Sequence, residues 1–133
     1  MKRIITTLLP AIFLITACSK DQKMVQQLEG EWKVTDLKKN GISVDKDKYE
    51  GQVYSFEKCK VSKGPCNGSI SQHGFSLAFT YKITNDGGKI SMTTTFLGSS
   101  ETMSADIIKH YNKKIIISSL DDNDTEEIIM EKI

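Results

Sequence analysis

Phe75-Ser76-Leu77-Ala78-Phe79-Thr80-Tyr81-Lys82-Ile83-Thr84 decides the fold. Five large apolar side chains occupy every second position, so an extended chain projects all five to one side and Ser76, Ala78, Thr80 and Lys82 to the other. A helix would scatter these positions around its axis, and the segment is therefore a β-strand with one buried face. Outward from it, Asn85-Asp86-Gly87-Gly88 supplies turn chemistry, and residues 89–96 alternate again, with Ile90, Met92, Thr94 and Phe96 on one face.

The same pattern continues in both directions. Upstream, strands are expected at 30–39, 52–61 and 67–73, with Asn40-Gly41 as a two-residue hairpin turn and 42–50 as a charged connection. Downstream, strands are expected at 102–110, 113–120 and 125–132, after a turn at 97–100. No segment from Gly30 onward reads as a helix of 10 residues or more. Eight short antiparallel strands with tight connections predict an all-β protein, an up-and-down barrel that removes its own edges by closing. Met24, Val25 and Leu28 suit one helical turn in a short polar tether before the first strand.

The chain has 133 residues, 38% hydrophobic and 26% charged, which suits one globular domain and excludes a multi-pass membrane protein or a wholly disordered chain. Its 18 basic and 17 acidic side chains give a net charge of +1, too little to hold a phosphate backbone, so nucleic acid is not an expected partner.

Residues 1–17 have a different character. Met1-Lys2-Arg3 is basic, Ile4 to Ala17 is uncharged and mostly apolar, and the run is broken by Thr6, Thr7 and Pro10. That is the layout of a cleaved secretory signal, and it is shorter than the roughly 20 apolar residues a spanning helix needs. Ile15-Thr16-Ala17-Cys18 resembles the lipobox of bacterial lipoproteins. The resemblance implies cleavage before Cys18, a diacylglycerol on its sulfur, a further acyl chain such as palmitate on the freed amine, and attachment to the membrane in the cell envelope. Residues 18–28 are then the lipidated N-terminus and tether. Ser19 is not the aspartate that retains many such proteins at the inner membrane, which points to the outer membrane. Cys18-Ser19-Lys20-Asp21 is similar to the export signal of surface lipoproteins of Bacteroidetes, so the chain could face the periplasm or the exterior.

With Cys18 lipidated, Cys59 and Cys66 are an even pair in an oxidising compartment and are expected to form a disulfide. Gly64-Pro65 between them favours a turn, and an eight-residue loop is worth about 2.5 kcal/mol on the chain-entropy model.

Leu28-Glu29-Gly30-Glu31-Trp32-Lys33-Val34 resembles the opening G-x-W strand of the lipocalins, in the layout of the small lipocalin-like lipoproteins of Bacteroidetes. The similarity spans residues 28–133 and implies a barrel domain over 29–133 with Trp32 packed across its closed end. The family's T-D-Y-like turn is missing, and the late arginine that covers the tryptophan is absent here, with Lys132 the candidate substitute. An eight-stranded barrel is wide enough to be filled by side chains or to hold one small ligand, and both outcomes stay open. Trp32, Tyr54, Phe56, Phe79, Tyr81 and Phe96 are the candidate ligand-binding residues.

Candidate chemistry is sparse. His73 and His110 lack metal-ligand spacing, no G-x-S-x-G or S-x-x-K is present, and Gly87-Gly88 opens no helix that could cradle a phosphate. Asp121-Asp122-Asn123-Asp124 lacks the glycine of a calcium loop and reads as a hairpin tip. No catalytic residue, cofactor or metal is expected. Two functions follow: a lipid-anchored barrel that binds a small apolar molecule, or a non-enzymatic module, such as an envelope inhibitor or adaptor, that binds a protein partner through its exterior; an enzyme is held in reserve as a third.

Overall fold

The computed structural model describes residues 19–111 and 113–133; the expected signal segment, 1–17, and the expected lipidation site, Cys18, lie outside them. Its elements are α1 (Lys20–Leu28), β1 (Gly30–Lys39), β2 (Ile42–Ser43), β3 (Val53–Phe56), β4 (Cys66–Gln72), β5 (Phe75–Thr84), β6 (Lys89–Phe96), β7 (Ser99–Tyr111), β8 (Lys114–Asp121) and β9 (Asp124–Lys132). Single 3-10 turns occupy Lys46–Lys48 and Val61–Lys63. Each strand from β3 to β9 pairs antiparallel with the next, and β9 returns to β1 from Trp32↔Lys132 to Lys39↔Glu126. The result is the expected closed, antiparallel, eight-stranded barrel.

β2 is not a stave of that barrel. It pairs only with Lys38 and Lys39, continuing along the edge of β1 that β3 occupies from Gly30 to Lys33. The charged connection after Asn40-Gly41 therefore starts as a short hairpin. Register shifts at Val34/Asp36 in β1 and at Ile107/Lys109 in β7 mark bulges, which bend a strand and help a sheet close.

The barrel has two different ends because the hairpin connections alternate. At one end α1 acts as a plug. Ser19 caps it by accepting a 3.1 Å hydrogen bond from Gln22 N, and Val25 and Leu28 are fully buried against the barrel. Three further bonds tie α1 to the loops around it. Asp21 Oδ1 accepts from Gly87 N at 2.8 Å, while Gln22 donates to Cys59 O at 3.0 Å and accepts from Val61 N at 2.8 Å. Gly87 has φ +82°, and a Cβ there would stand 3.2 Å from both Lys20 O and Met24 Cβ, so the turn can meet the helix only as glycine. Residues 20–28 are thus a docked helix of nine residues rather than a free tether, because the apolar stripe noted in the sequence finds a surface to cover.

Cys59 and Cys66 form a disulfide at the same end, with Cα atoms 5.6 Å apart. Trp32 lies across this end with no exposed surface, and its Nε1 donates to Leu28 O at 2.8 Å. Lys132 Nζ sits 5.7 Å from the centroid of the Trp32 ring, within cation–π range.

Candidate functional site

The aromatic side chains of the barrel interior form a graded column. Phe56 and Tyr81 meet edge to face at 5.2 Å between ring centroids, Phe56 and Phe79 at 5.7 Å, and Tyr54 joins Phe79 at 6.3 Å. Gly68 makes room for this stack. A Cβ at Gly68 would come within 2.5 Å of Phe79 Cε2 and 2.7 Å of Ser55 O, so the Phe79 ring lies directly over the glycine of its cross-strand partner.

Above the stack the barrel is not filled. A cavity of about 600 Å³ opens toward the end opposite α1. This volume falls in the range of about 300 to 1,000 Å³ typical of small-molecule sites. Tyr54, Ile70, Phe79, Met92 and Met103 give it an apolar floor, contributed by five consecutive strands from β3 to β7. Thr94 and Ser119 also line it, and Glu101, Asp121 and Glu126 line its mouth. Among the described residues, no Lys, Arg or His lines the cavity, and none of the three carboxylates is in an ion pair. The nearest cation in the pairing register is Lys39, opposite Glu126, and its Nζ is engaged with Asp124 at 3.5 Å. Asp124 also accepts from Asn40 at 2.9 Å, and the two partners hold its carboxyl below the ordinary carboxylate range.

Four two-residue turns surround the mouth: Asn40-Gly41, His73-Gly74, Leu97-Gly98 and Asp122-Asn123, all with positive φ at both central positions. Asn and Gly tolerate that conformation; Leu97, at φ +50°, does not share their excuse. Leu97 is also 90% exposed, and Phe75, Phe96 and Leu120 around the same mouth are 66%, 62% and 73% exposed. These apolar tips stand above the cavity on turns or strand ends.

Charge divides along the barrel axis. Segments 36–50, 68–78, 93–104 and 119–127 form the half around the mouth and carry four lysines against ten carboxylates. The rest of residues 19–133, around the plugged end, carries twelve lysines against seven carboxylates. A net charge of −1 over these residues therefore conceals one half at −6 and another at +5.

Of the six candidate ligand-binding residues, the structure brings Tyr54 and Phe79 to the cavity wall. Trp32, Phe56 and Tyr81 are buried at 0 to 2% exposure beneath it, as part of the plugged end. Phe96 stands at the rim, where the alternating pattern of β6 runs past the last layer of core. Sequence alternation puts Met92 on one face with Ile90 and Phe96, but nothing in it separates cavity wall from core filling. Of the three mouth carboxylates the sequence reading names Asp121 alone, as part of a hairpin tip, and passes over Glu101 and Glu126. Glu101, Asp121 and Glu126 share the inward register of Met103, Ile117 and Ile128 on β7, β8 and β9, which is the signal that could have found them.

Two buried polar atoms lie away from the cavity. Tyr81 Oη has no hydrogen-bond partner among the described residues, and burial pushes its phenol up to about 12, with the Glu29 and Glu57 carboxylates adding to the effect. Burial also raises the Tyr54 phenol. His110 Nε2 is likewise buried without a partner, and burial together with the Lys132 charge lowers its pKa. His73 sits exposed in its turn. Among the described residues no group of three or more His, Cys, Asp and Glu is arranged to hold a metal ion.

No protein-family model matches the chain, and no curated protein matches its sequence.

Proposed function

We propose that this chain is a lipid-anchored, lipocalin-like lipoprotein of the bacterial cell envelope that holds a small apolar ligand in the open half of its barrel. The observation that carries this reading is the cavity of about 600 Å³ whose floor is Tyr54, Ile70, Phe79, Met92 and Met103. The Trp32–Lys132 stack supports the lipocalin resemblance at the opposite end.

The anchor would set the orientation. Only Ser19 separates Cys18 from α1, and α1 is fastened to the plugged end. Lipid on Cys18 would hold that end, with its surplus of lysines, toward the bilayer and turn the mouth away from it. Basic surface near anionic headgroups is favourable, so anchor and charge act in the same sense.

Methionine-methyl NMR tests ligand binding at the cavity. Met92 and Met103 line it, while Met24 and Met130 pack at the plugged end and serve as internal controls. With the full chain in phosphatidylcholine nanodiscs, 1-octanol should move the Met92 and Met103 signals saturably and leave Met24 and Met130 in place. Uniform or non-saturating movement would remove the ligand-binding reading. Mass analysis of the N-terminal peptide from the native membrane tests the anchor, and an unmodified peptide that does not begin at Cys18 would overturn it.

The exposed tips Phe75, Phe96, Leu97 and Leu120 favour a second reading, in which the same end meets a protein partner. Pull-down with the intact rim and loss of capture in a Phe96→Ser/Leu97→Asn variant, with no octanol response, would support it over the first.

A further inference from the structure

We infer that the ligand is a cationic amphiphile, with its apolar body on the floor of the cavity and its positive head among Glu101, Asp121 and Glu126. The inference rests on the ligand-binding reading above and adds the chemical class of the ligand.

Three observations combine. The floor is mostly apolar, with the Tyr54 hydroxyl as the polar group among its five side chains, so the deep part of an occupant is mainly hydrocarbon or aromatic. Among the described residues the charged groups that line the mouth are carboxylates alone, none of them in an ion pair, and Lys39, opposite Glu126, is paired with Asp124. An anionic head, such as a fatty-acid carboxylate, would therefore meet like charge at each of the three charged positions that line the cavity, and like-charge juxtaposition is a strong means of rejection. The surrounding half of the barrel, four lysines against ten carboxylates, extends this preference beyond contact range and would draw in cations.

The exposed rim fits the same occupant. Leu120 lines the cavity beside Asp121, and Phe75, Phe96 and Leu97 are exposed at the same end of the barrel, so a ligand entering there meets apolar side chains as well as the acids. Leu97 holds a left-handed conformation that costs a branched side chain stability, and it is 90% exposed; folding gains nothing from it there, which marks the tip as serving an encounter. An anionic membrane surface is a poorer occupant, because insertion of these tips would bring the half of the barrel with a net charge of −6 toward the headgroups.

The test uses three eight-carbon probes that differ only in the head: octyltrimethylammonium, 1-octanol and octanoate. Each is titrated into the full chain in phosphatidylcholine nanodiscs, at low and high salt, with the Met92 and Met103 methyls as the readout. The ammonium probe should bind roughly tenfold more tightly than octanol at low salt, and octanoate more weakly than octanol. About 1 M salt should compress the ammonium preference, since the mouth is open to solvent. In the Glu101→Gln/Glu126→Gln variant the three probes should converge, with the Met24 and Met130 signals reporting an intact fold. Equal binding of all three probes to the wild-type chain, or a preference for octanoate, overturns the cationic assignment and leaves the apolar-ligand reading standing. No saturable response to any of the three overturns both.

Discussion

The plugged end and the open end of this barrel are built from the same eight strands and follow opposite rules. At the plugged end every device removes freedom: a docked helix, a disulfide, a fully buried tryptophan with a lysine over its ring, and hydrogen bonds from α1 to two loops. At the open end the strands run on past the core into tight turns, leaving large apolar tips in solvent and carboxylates facing inward. Burial that stabilises is concentrated where no ligand could enter, and stability is given up where one could. Lids and binding regions belong to the low-stability part of a fold for this reason.

The contrast can be broken most severely at Trp32. Trp32→Ala removes a fully buried side chain and the 2.8 Å bond to Leu28 O, so chemical denaturation should show a loss of about 3 to 5 kcal/mol. An unchanged midpoint would mean that the plugged end does not carry the stability assigned to it. Opening the disulfide acts on the same end with less effect. A Cys59→Ser/Cys66→Ser variant should lose about 2 to 3 kcal/mol in the same assay, mainly by freeing the unfolded chain.

Alkaline titration gives a third handle. The Tyr81 phenol is raised from its ordinary value of about 10 up to about 12, so between those values the unfolded chain releases a proton that the folded chain keeps. Stability is therefore intact below pH 10 and falls as pH rises toward 12, by on the order of 1 to 2 kcal/mol after solvent screening of the carboxylates is discounted. Tyr81→Phe should flatten this part of the profile. It should also cost little at neutral pH, because the hydroxyl it removes has no hydrogen-bond partner among the described residues. A steep neutral-pH loss in that variant would show that the hydroxyl is satisfied after all.

The smallest effect, with the opposite sign, is expected at the open end. Leu97→Asn puts a residue that tolerates the left-handed region at φ +50° and removes an exposed apolar side chain, so the midpoint should rise by up to about 1 kcal/mol. A decrease would mean that Leu97 is packed in solution and that the two ends are less different than they look.

The strand pattern was legible because its cause is local. Alternation in 75–84 and 89–96 follows from the pleat, and Asn40-Gly41 needs only its own backbone to turn. The pairing of Cys59 with Cys66 was legible from even cysteine arithmetic. Where alternation stops meaning burial was not legible. Phe75 and Phe96 keep the inward phase of β5 and β6, yet they project beyond the last core layer, a limit set by the other strands. The helix was underestimated for a similar reason. Met24, Val25 and Leu28 are too few to hold an isolated helix, and it is the opening around Trp32 that gives them something to cover. The mouth carboxylates escaped because an acid near a turn reads as solvated until three strands bring it beside others.

The seam between β1 and β9 has a consequence in time. Its partners, from Trp32↔Lys132 to Lys39↔Glu126, are about 90 to 100 residues apart in sequence, whereas the other full-length staves pair with near neighbours. During synthesis the hairpins from β4 to β8 can form as they emerge, but β1 must wait with one edge unsatisfied until residues 124–132 leave the ribosome. On the export proposed for this chain the delay would be useful: a wall that cannot close until its last stave arrives stays loose enough to be threaded through a translocation channel, and the fold would complete itself on the far side.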